Sequence, residues 1–230
     1  MFFTEVIAAV MALVSAAAAA AVPNTVAWWD MNETPVAATM VDSSGQNLHG
    51  DVGADVRTGV FDAGATVYRF PDVAPNDPPT RPGHLVTVPH STRLNPDSGD
   101  FTVTVRFRTT QRPSNIVQKG QAETPGGYWK VEQDGELARC VFVGGDGQGR
   151  SAGARVRVDD GKWHTVTCER TATSVAVSVD GVRRGSASGS SGAISNASSL
   201  AIGGKSDCDQ QRVGCDYFSG DIDYVRIQKG

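Results

Sequence analysis

Beyond residue 24 the chain alternates with a period of two. In 101–108, Phe101, Val103, Val105 and Phe107 fall on one side and Thr102, Thr104, Arg106 and Arg108 on the other, as in a strand with one face on a core. In 174–180 the apolar positions are Val175, Val177 and Val179, and Asp180 is followed by Gly181. That dipeptide suits a two-residue hairpin, so 182–186 is the expected returning strand. Further strands are expected over 25–32, 66–70, 84–88, 128–133, 137–143, 155–158, 163–170, 199–203 and 220–228. No window of helical length past the N-terminal leader carries a clean 3.6-residue period. Short strands separated by Gly, Pro, Asp and Ser turns predict an all-β sandwich of two sheets. Breakers mark the loops: Pro75, Pro78, Pro79 and Pro82 lie in 72–82, and 144–153 is glycine-rich and expected as a mobile turn. No repeat and no second apolar core separates out, so one domain is expected over 24–230.

The first 22 residues differ. Val6 to Val22 is an apolar run interrupted only by Ser15, and it ends in alanines from Ala16 to Ala21. The run is short for a membrane span and offers small-residue cleavage sites, so 1–22 is expected to be a signal peptide, with an uncleaved anchor as the alternative. The head has no Lys or Arg and carries Glu5, which departs from the usual basic start. Four cysteines, Cys140, Cys168, Cys208 and Cys215, form no C-x-x-C pair, which argues against a zinc ribbon and, beside the leader, for disulfides and a secreted, extracellular protein. Of three possible pairings, Cys208–Cys215 is favoured by nearness, and Cys140–Cys168 would link two expected strands. A net charge of −4 and a pI near 5.5 argue against nucleic acid as a partner, and no basic amphipathic helix points to a membrane surface. No membrane insertion is expected once the leader is cleaved.

A series of blocks then becomes legible: VAWWDMNE at 26–33, VDSSG at 41–45, HG at 49–50, YRF at 68–70, LVTVP at 85–89, LNP at 94–96, DFTVTV at 100–105, GKWHTV at 161–166, VDG at 179–181 and GDIDYVRI at 220–227. Each is weak alone, but their order resembles the laminin-G-like branch of the concanavalin A-like lectin/glucanase superfamily across the mature chain. Cys168, between Thr167 and Glu169, resembles secreted bacterial members with a disulfide there. The resemblance implies a jelly roll of two antiparallel sheets and a module that binds glycan or protein. It also implies a structural calcium ion where the first and last strands meet, held by Asn32 or Glu33, Asp42, Asn47 and Asp223. Asn32 and Tyr224 stand where the family often has carboxylates, which removes two charged donors from that set.

Catalytic patterns are missing. Glucanases of this superfamily place carboxylates on one strand face as Glu-x-Asp-x-Glu, and a glycosidase needs two across the scissile bond. The nearest match has Asp221 and Asp223, with Ser219 and Val225 as the expected same-face neighbours. Glu132, Glu136 and Glu169 are isolated. His164 alternates with Val166 and Cys168, which fits a satisfied core histidine. There is no G-x-S-x-G elbow, and the glycines of 144–149 are not followed by the Lys-Ser/Thr of a phosphate loop.

A sugar site commonly pairs a stacking aromatic with a few fixed polar groups. The candidate ligand-binding aromatics are Trp28, which shares a face with Asp30, Trp129, which follows two glycines, and Tyr217, beside the acidic cysteine loop. Trp29 and Met31 are assigned to the core. Asn32 and Asn196 head glycosylation sequons. The expected function is non-catalytic extracellular binding of carbohydrate or a surface glycoconjugate. The alternatives are structural or adhesive binding of a surface protein and, third, a glycosidase.

Overall fold

The computed structural model describes residues 24–76, 81–111, 113–208 and 214–230. The expected signal peptide lies outside the described residues. Among these residues there are sixteen strands, two single-turn 3-10 helices and no α-helix. The strands are β1 (Asn24–Trp29), β2 (Thr39–Met40), β3 (Gly50–Val52), β4 (Arg57–Asp62), β5 (Ala65–Phe70), β6 (Val86–Val88), β7 (Phe101–Arg108), β8 (Ser114–Lys119), β9 (Gly127–Asp134), β10 (Leu137–Gly144), β11 (Gly149–Arg157), β12 (His164–Arg170), β13 (Ser174–Val179), β14 (Val182–Ser188), β15 (Leu200–Ile202) and β16 (Gly220–Lys229).

They form two sheets. The first runs β14-β13-β12-β7-β16-β5-β4, and the second runs β11-β10-β9-β8-β15-β6-β3-β2. One edge of β16 serves two partners. Its first residues pair with β5 and its last residues with β1, while its other edge pairs with β7 along most of its length. Every one of these pairings is antiparallel.

Alternation places the core. Phe101, Val103, Val105 and Phe107 are buried, as are Val175, Val177 and Val179 across the same sheet. From the second sheet, Trp129, Val131 and Phe142 meet them, and Phe101 lies 5.3 Å from Trp129 and 6.4 Å from Phe142 between ring centroids. Each such buried side chain contributes roughly 1.5–3 kcal/mol. Trp29 and Met31 are fully buried, as the strand pattern requires. The hairpin at Asp180 and Gly181 has φ of 52° and 76°, the two left-handed residues of the turn that matches strand twist.

Both disulfides form. Cys140 on β10 joins Cys168 on β12 and so ties one sheet to the other, and Cys208 joins Cys215. The second bond sits in a satellite cluster with Leu85, Tyr217 and Val73.

The glycine-rich stretch 144–153 is not a mobile turn. Only 145–148 turn, and β11 begins at Gly149. Small residues there serve packing: Ala152 and Ala154 are buried, and a Cβ on Gly185 of β14 would come within 2.2 Å of the Gly153 carbonyl. β8 was also not expected. All six of its residues are buried, so its sequence, SNIVQK, carries no alternation. Its polar side chains lie under loops. Lys119 is fully buried, and its ammonium donates to the Asn196 carbonyl and Oδ1, each at 2.9 Å, and contacts His90 Nδ1 at 3.2 Å. Asn196 in turn donates to the Gly127 carbonyl at 2.8 Å. The second sequon is therefore closed inside the fold, whereas Asn32 is exposed.

Two predictions follow from this packing. Replacing Cys140 and Cys168 together by alanine removes a cross-link spanning 28 residues and is expected to cost roughly 3–4 kcal/mol in the chain-entropy model, read by urea unfolding. Burial pulls the Lys119 pKa down to about 8, with Asp97 opposing. The folded chain therefore releases this proton before the unfolded chain does. Stability relative to Lys119→Met is expected to rise as pH climbs from about 8 towards the ordinary 10.5. Denaturation midpoints of the two chains across that range check it, and parallel curves would refute it.

Candidate functional site

The residues expected to hold calcium are committed elsewhere. Asp42 is buried and organises its own turn: Oδ1 accepts from the backbone N–H of Trp28 at 3.0 Å and of Ser44 at 2.9 Å, and Oδ2 from that of Leu48 at 2.9 Å. Burial raises its pKa, but these backbone N–H groups outweigh that and leave it lowered. Glu33 accepts from the Val41 N–H at 2.7 Å and the Tyr68 hydroxyl at 2.6 Å. Asp223 is ion-paired to Arg106. Asn32 is exposed, and Asn47 occupies a left-handed turn position with φ of 59°. Among the described residues no group of three or more His, Cys, Asp or Glu is placed to share a metal ion. The donor set the resemblance implies is thus spent on turns and an ion pair, and it does not fit a cation here.

Two of the three expected stacking aromatics are corrections. Trp129 is fully buried, alternates with Val131 towards the core and donates its Nε1–H to the Leu94 carbonyl at 3.0 Å. Tyr217 is fully buried against His84 at 5.0 Å, and its hydroxyl accepts from the Arg81 N–H. Neither ring offers a face to a ligand. Trp28 does point outward, 39% exposed, with the Arg226 guanidinium 5.6 Å from its ring centre. His164 is satisfied, with Nδ1 2.9 Å from Asp180 and Nε2 3.1 Å from Asp160.

A charged cluster gathers on the outward face of the first sheet. The polar side of β7 presents Arg106 and Arg108. Beside it, β16 supplies Asp221 and Asp223, and β5 and β4 supply Arg69 and Asp62. Arg69 grips Asp221 through Nε at 2.7 Å and a second nitrogen at 3.2 Å. Arg108 reaches Asp221 at 2.5 Å and Asp62 at 3.1 Å. The hydrogen bonds to Asp221 hold the Arg69 and Arg108 pKa values above their ordinary range. Trp163 completes the group. Arg106 and Arg108 lie 4.6 and 5.2 Å from its ring centre, and its Nε1–H donates to Asp62 at 3.3 Å.

A bulge explains how Asp221 and Asp223 both reach this face. The β16–β7 register shifts between Ile222 and Tyr224. Asp223 and Tyr224 therefore both stay half-buried on the outer side, while Ile222 and Val225 enter the core. Val225 is accordingly not a same-face neighbour of the two aspartates, contrary to plain alternation.

Next to this cluster a pocket of about 390 Å³ opens, lined by Arg69, Asp72, Arg108, Gln111, Gly161 and Asp221 among others. Its floor depends on a close approach. A Cβ on Gly220, whose φ is 142°, would stand 2.3 Å from the Arg108 carbonyl. Thr109 locks the same floor by donating to the Ser219 carbonyl at 2.6 Å. Gln111 donates to Asp72 at 3.1 Å and to the Val73 carbonyl at 2.6 Å.

The chemistry on offer is recognition. Arg69, Arg106 and Arg108 are matched by Asp62, Asp221 and Asp223, so the face carries many fixed donors and acceptors with little net charge. A proton-donating carboxyl in a glycosidase sits in apolar surroundings, whereas these three aspartates each touch a guanidinium. Sequence reading placed Trp163 only inside a family block. The signal for it was the outward pair Arg106 and Arg108, which needed the β7–β12 register to be joined to it.

A family model for the concanavalin A-like lectin/glucanases superfamily, of laminin-G type, matches residues 80–230. Neurexin 1 of Drosophila melanogaster is 32% identical over 127 residues, which is 52% of this chain and 7% of neurexin 1, so the chain spans a small fraction of that relative. Among solved structures, the binding domain of Paraclostridial Mosquitocidal Protein 1 matches with a TM-score of 0.63 at 13% identity, over 90% of this chain and 48% of that one. The Botulinum neurotoxin serotype G binding domain matches at 0.61 and 14%, over 90% and 47%. Domain 4 of AbnA, a GH43 extracellular arabinanase from Geobacillus stearothermophilus solved with arabinotriose, matches at 0.61 and 15%, over 90% and 93%. At such identities these likenesses establish the fold alone.

The Asp42 turn yields a pH prediction. Its folded pKa lies below the ordinary 3.8, so its contribution is fully present above that value and is lost as pH falls through the lower one. Asp42→Asn is expected to cost about 1–3 kcal/mol at neutral pH and to flatten the acid limb of a stability-against-pH curve. An unchanged acid limb would count against this role.

Proposed function

This chain belongs to the concanavalin A-like lectin/glucanases superfamily, in its laminin-G-like branch, and on that basis we propose that it is an extracellular, non-catalytic module that binds neutral carbohydrate at the Trp163 pocket. The observation that carries the reading is the charge-matched cluster of Arg69, Arg106, Arg108, Asp62, Asp221 and Asp223 around Trp163. Guanidinium forks donate and carboxylates accept in fixed geometry, which suits adjacent hydroxyls. The face of an indole suits the apolar C–H side of a sugar ring. Matched charges favour an uncharged ligand over a phosphate or an acidic chain. Two disulfides and the apolar leader support export. No helix among the described residues is long and apolar enough to cross a membrane. The arabinotriose-bound neighbour supports arabinan-derived sugars as the first probes.

A protein partner is the second reading, favoured by the likeness to neurexin 1. A glycan array probed with calcium and with chelator separates the two. Retention of neutral glycans, with affinity weakened about tenfold or more by Trp163→Ala and no reducing sugar released, is the expected result. Loss in chelator would bring the Asn32, Asp42, Asn47 and Asp223 set back into account. No glycan retained under either condition would overturn the carbohydrate reading.

A further inference from the structure

The pocket is one end of a longer surface. Trp28 on β1 stands opposite Arg226 on β16, Arg226 stands opposite Thr104 on β7, and Thr104 stands opposite Thr167 on β12. His164 is opposite Phe107, so Trp163 flanks Arg108. Trp28 and Trp163 thus occupy opposite corners of the same outward face. Three strand spacings of about 4.8 Å and about four residues of about 3.3 Å put them roughly 20 Å apart.

The ground between them is polar throughout. Tyr224, Arg226, Arg106, Thr165 and Thr167 are half-buried there, and Thr104 and Thr167 hydrogen-bond across the strands at 3.3 Å. Arg106 is neutralised by Asp223. No apolar side chain interrupts the strip, and each tryptophan carries a guanidinium near its ring, which restrains the side chain and lowers the entropy lost when a ligand stacks on it.

We propose that Trp28 and Arg226 form a second subsite on this face, so that the ligand is a linear neutral oligosaccharide lying across the strands from the Trp163 pocket to Trp28. The inference rests on the carbohydrate reading above and adds the length of the ligand and the residue that measures it. Two rings roughly 20 Å apart cannot be engaged together by a monosaccharide or a disaccharide. Avidity between linked contacts then rises once the chain is long enough to touch both.

The test is calorimetric titration with arabinan-, xylan-, cellulose- and laminarin-derived oligosaccharides, from disaccharide to hexasaccharide, on wild-type, Trp28→Ala, Trp28→Tyr and Trp163→Ala chains. Wild-type affinity is expected to rise with length. Trp28→Ala is expected to match wild type on disaccharides and to lose about tenfold on hexasaccharides. Trp28→Tyr, which keeps a stacking ring, is expected to retain the length dependence. Trp163→Ala is expected to weaken every length. If Trp28→Ala binds hexasaccharides as tightly as wild type while Trp163→Ala weakens all lengths, the second subsite is wrong and the pocket reading stands. If no member of the series binds the wild-type chain, both are wrong.

Discussion

The outward face exists because β7 has no freedom of register. It lies inside the first sheet, paired with β12 along one edge and β16 along the other. A slip of one residue would expose Phe101, Val103, Val105 and Phe107 and drive Arg106 and Arg108 into the core. The core thereby fixes where the guanidiniums stand, and β16 must meet them with carboxylates. It does so through the bulge at Asp223, which lets two acidic side chains serve one face without breaking the pairing beyond it. These ion pairs are partly exposed, with side-chain exposure of 41% for Arg69 and 28% for Arg108. Pairs of that kind add little to stability, about 0–1 kcal/mol each. Their consequence is positional, since every donor and acceptor on the face is held by a partner.

A second constraint closes the end of the sandwich. Arg170, on the first sheet, donates to Ser191 Oγ at 3.1 Å, to the Gly192 carbonyl at 2.6 Å and to the Gly99 carbonyl. Lys119, on the second sheet, holds Asn196 a few residues later. One segment is therefore clamped by buried cations from both sheets. Burial lowers the pKa of each, so each costs desolvation energy that carbonyl acceptors offset only in part. The same clamp explains Gly126, where a Cβ would stand 1.9 Å from the Ser195 carbonyl. The loop comes that close because cations pull it in.

Where alternation holds, the sequence was a sound guide. β7, β13 and the Asp180–Gly181 hairpin follow directly from period two and turn chemistry, and Trp29 and Met31 fall in the core as their spacing requires. Both cysteine pairings, too, were within reach of strand placement and nearness. β8 was illegible because a strand covered on both sides needs no polar face, and its Asn115, Gln118 and Lys119 read as surface while being buried under loops. β11 was hidden by small residues that look like a turn but permit close approach of β14. The site was the least legible part. Trp129 and Tyr217 are as aromatic as Trp163, and only the register of neighbouring strands reveals which ring has guanidiniums beside it and solvent above it.

Charge matching also bears on how such a face discriminates. Unpaired charges attract ligands from a distance, and clustered like charges focus that field. Here each guanidinium of the cluster sits within hydrogen-bonding range of a carboxylate, so the fields largely cancel within a few ångströms. What remains acts at contact: fork geometry, acceptor direction and the apolar faces of Trp28 and Trp163. On the carbohydrate reading, selectivity then resides in the orientation of hydroxyls along the strip rather than in ligand charge. A sugar that presents a hydroxyl where the face has no partner leaves that group desolvated, at about 1–3 kcal/mol. A sugar of matching stereochemistry exchanges water for the fixed groups of Arg69, Asp221 and Arg108. The ion pairs that contribute little to the fold are therefore the ones that set what the face can accept.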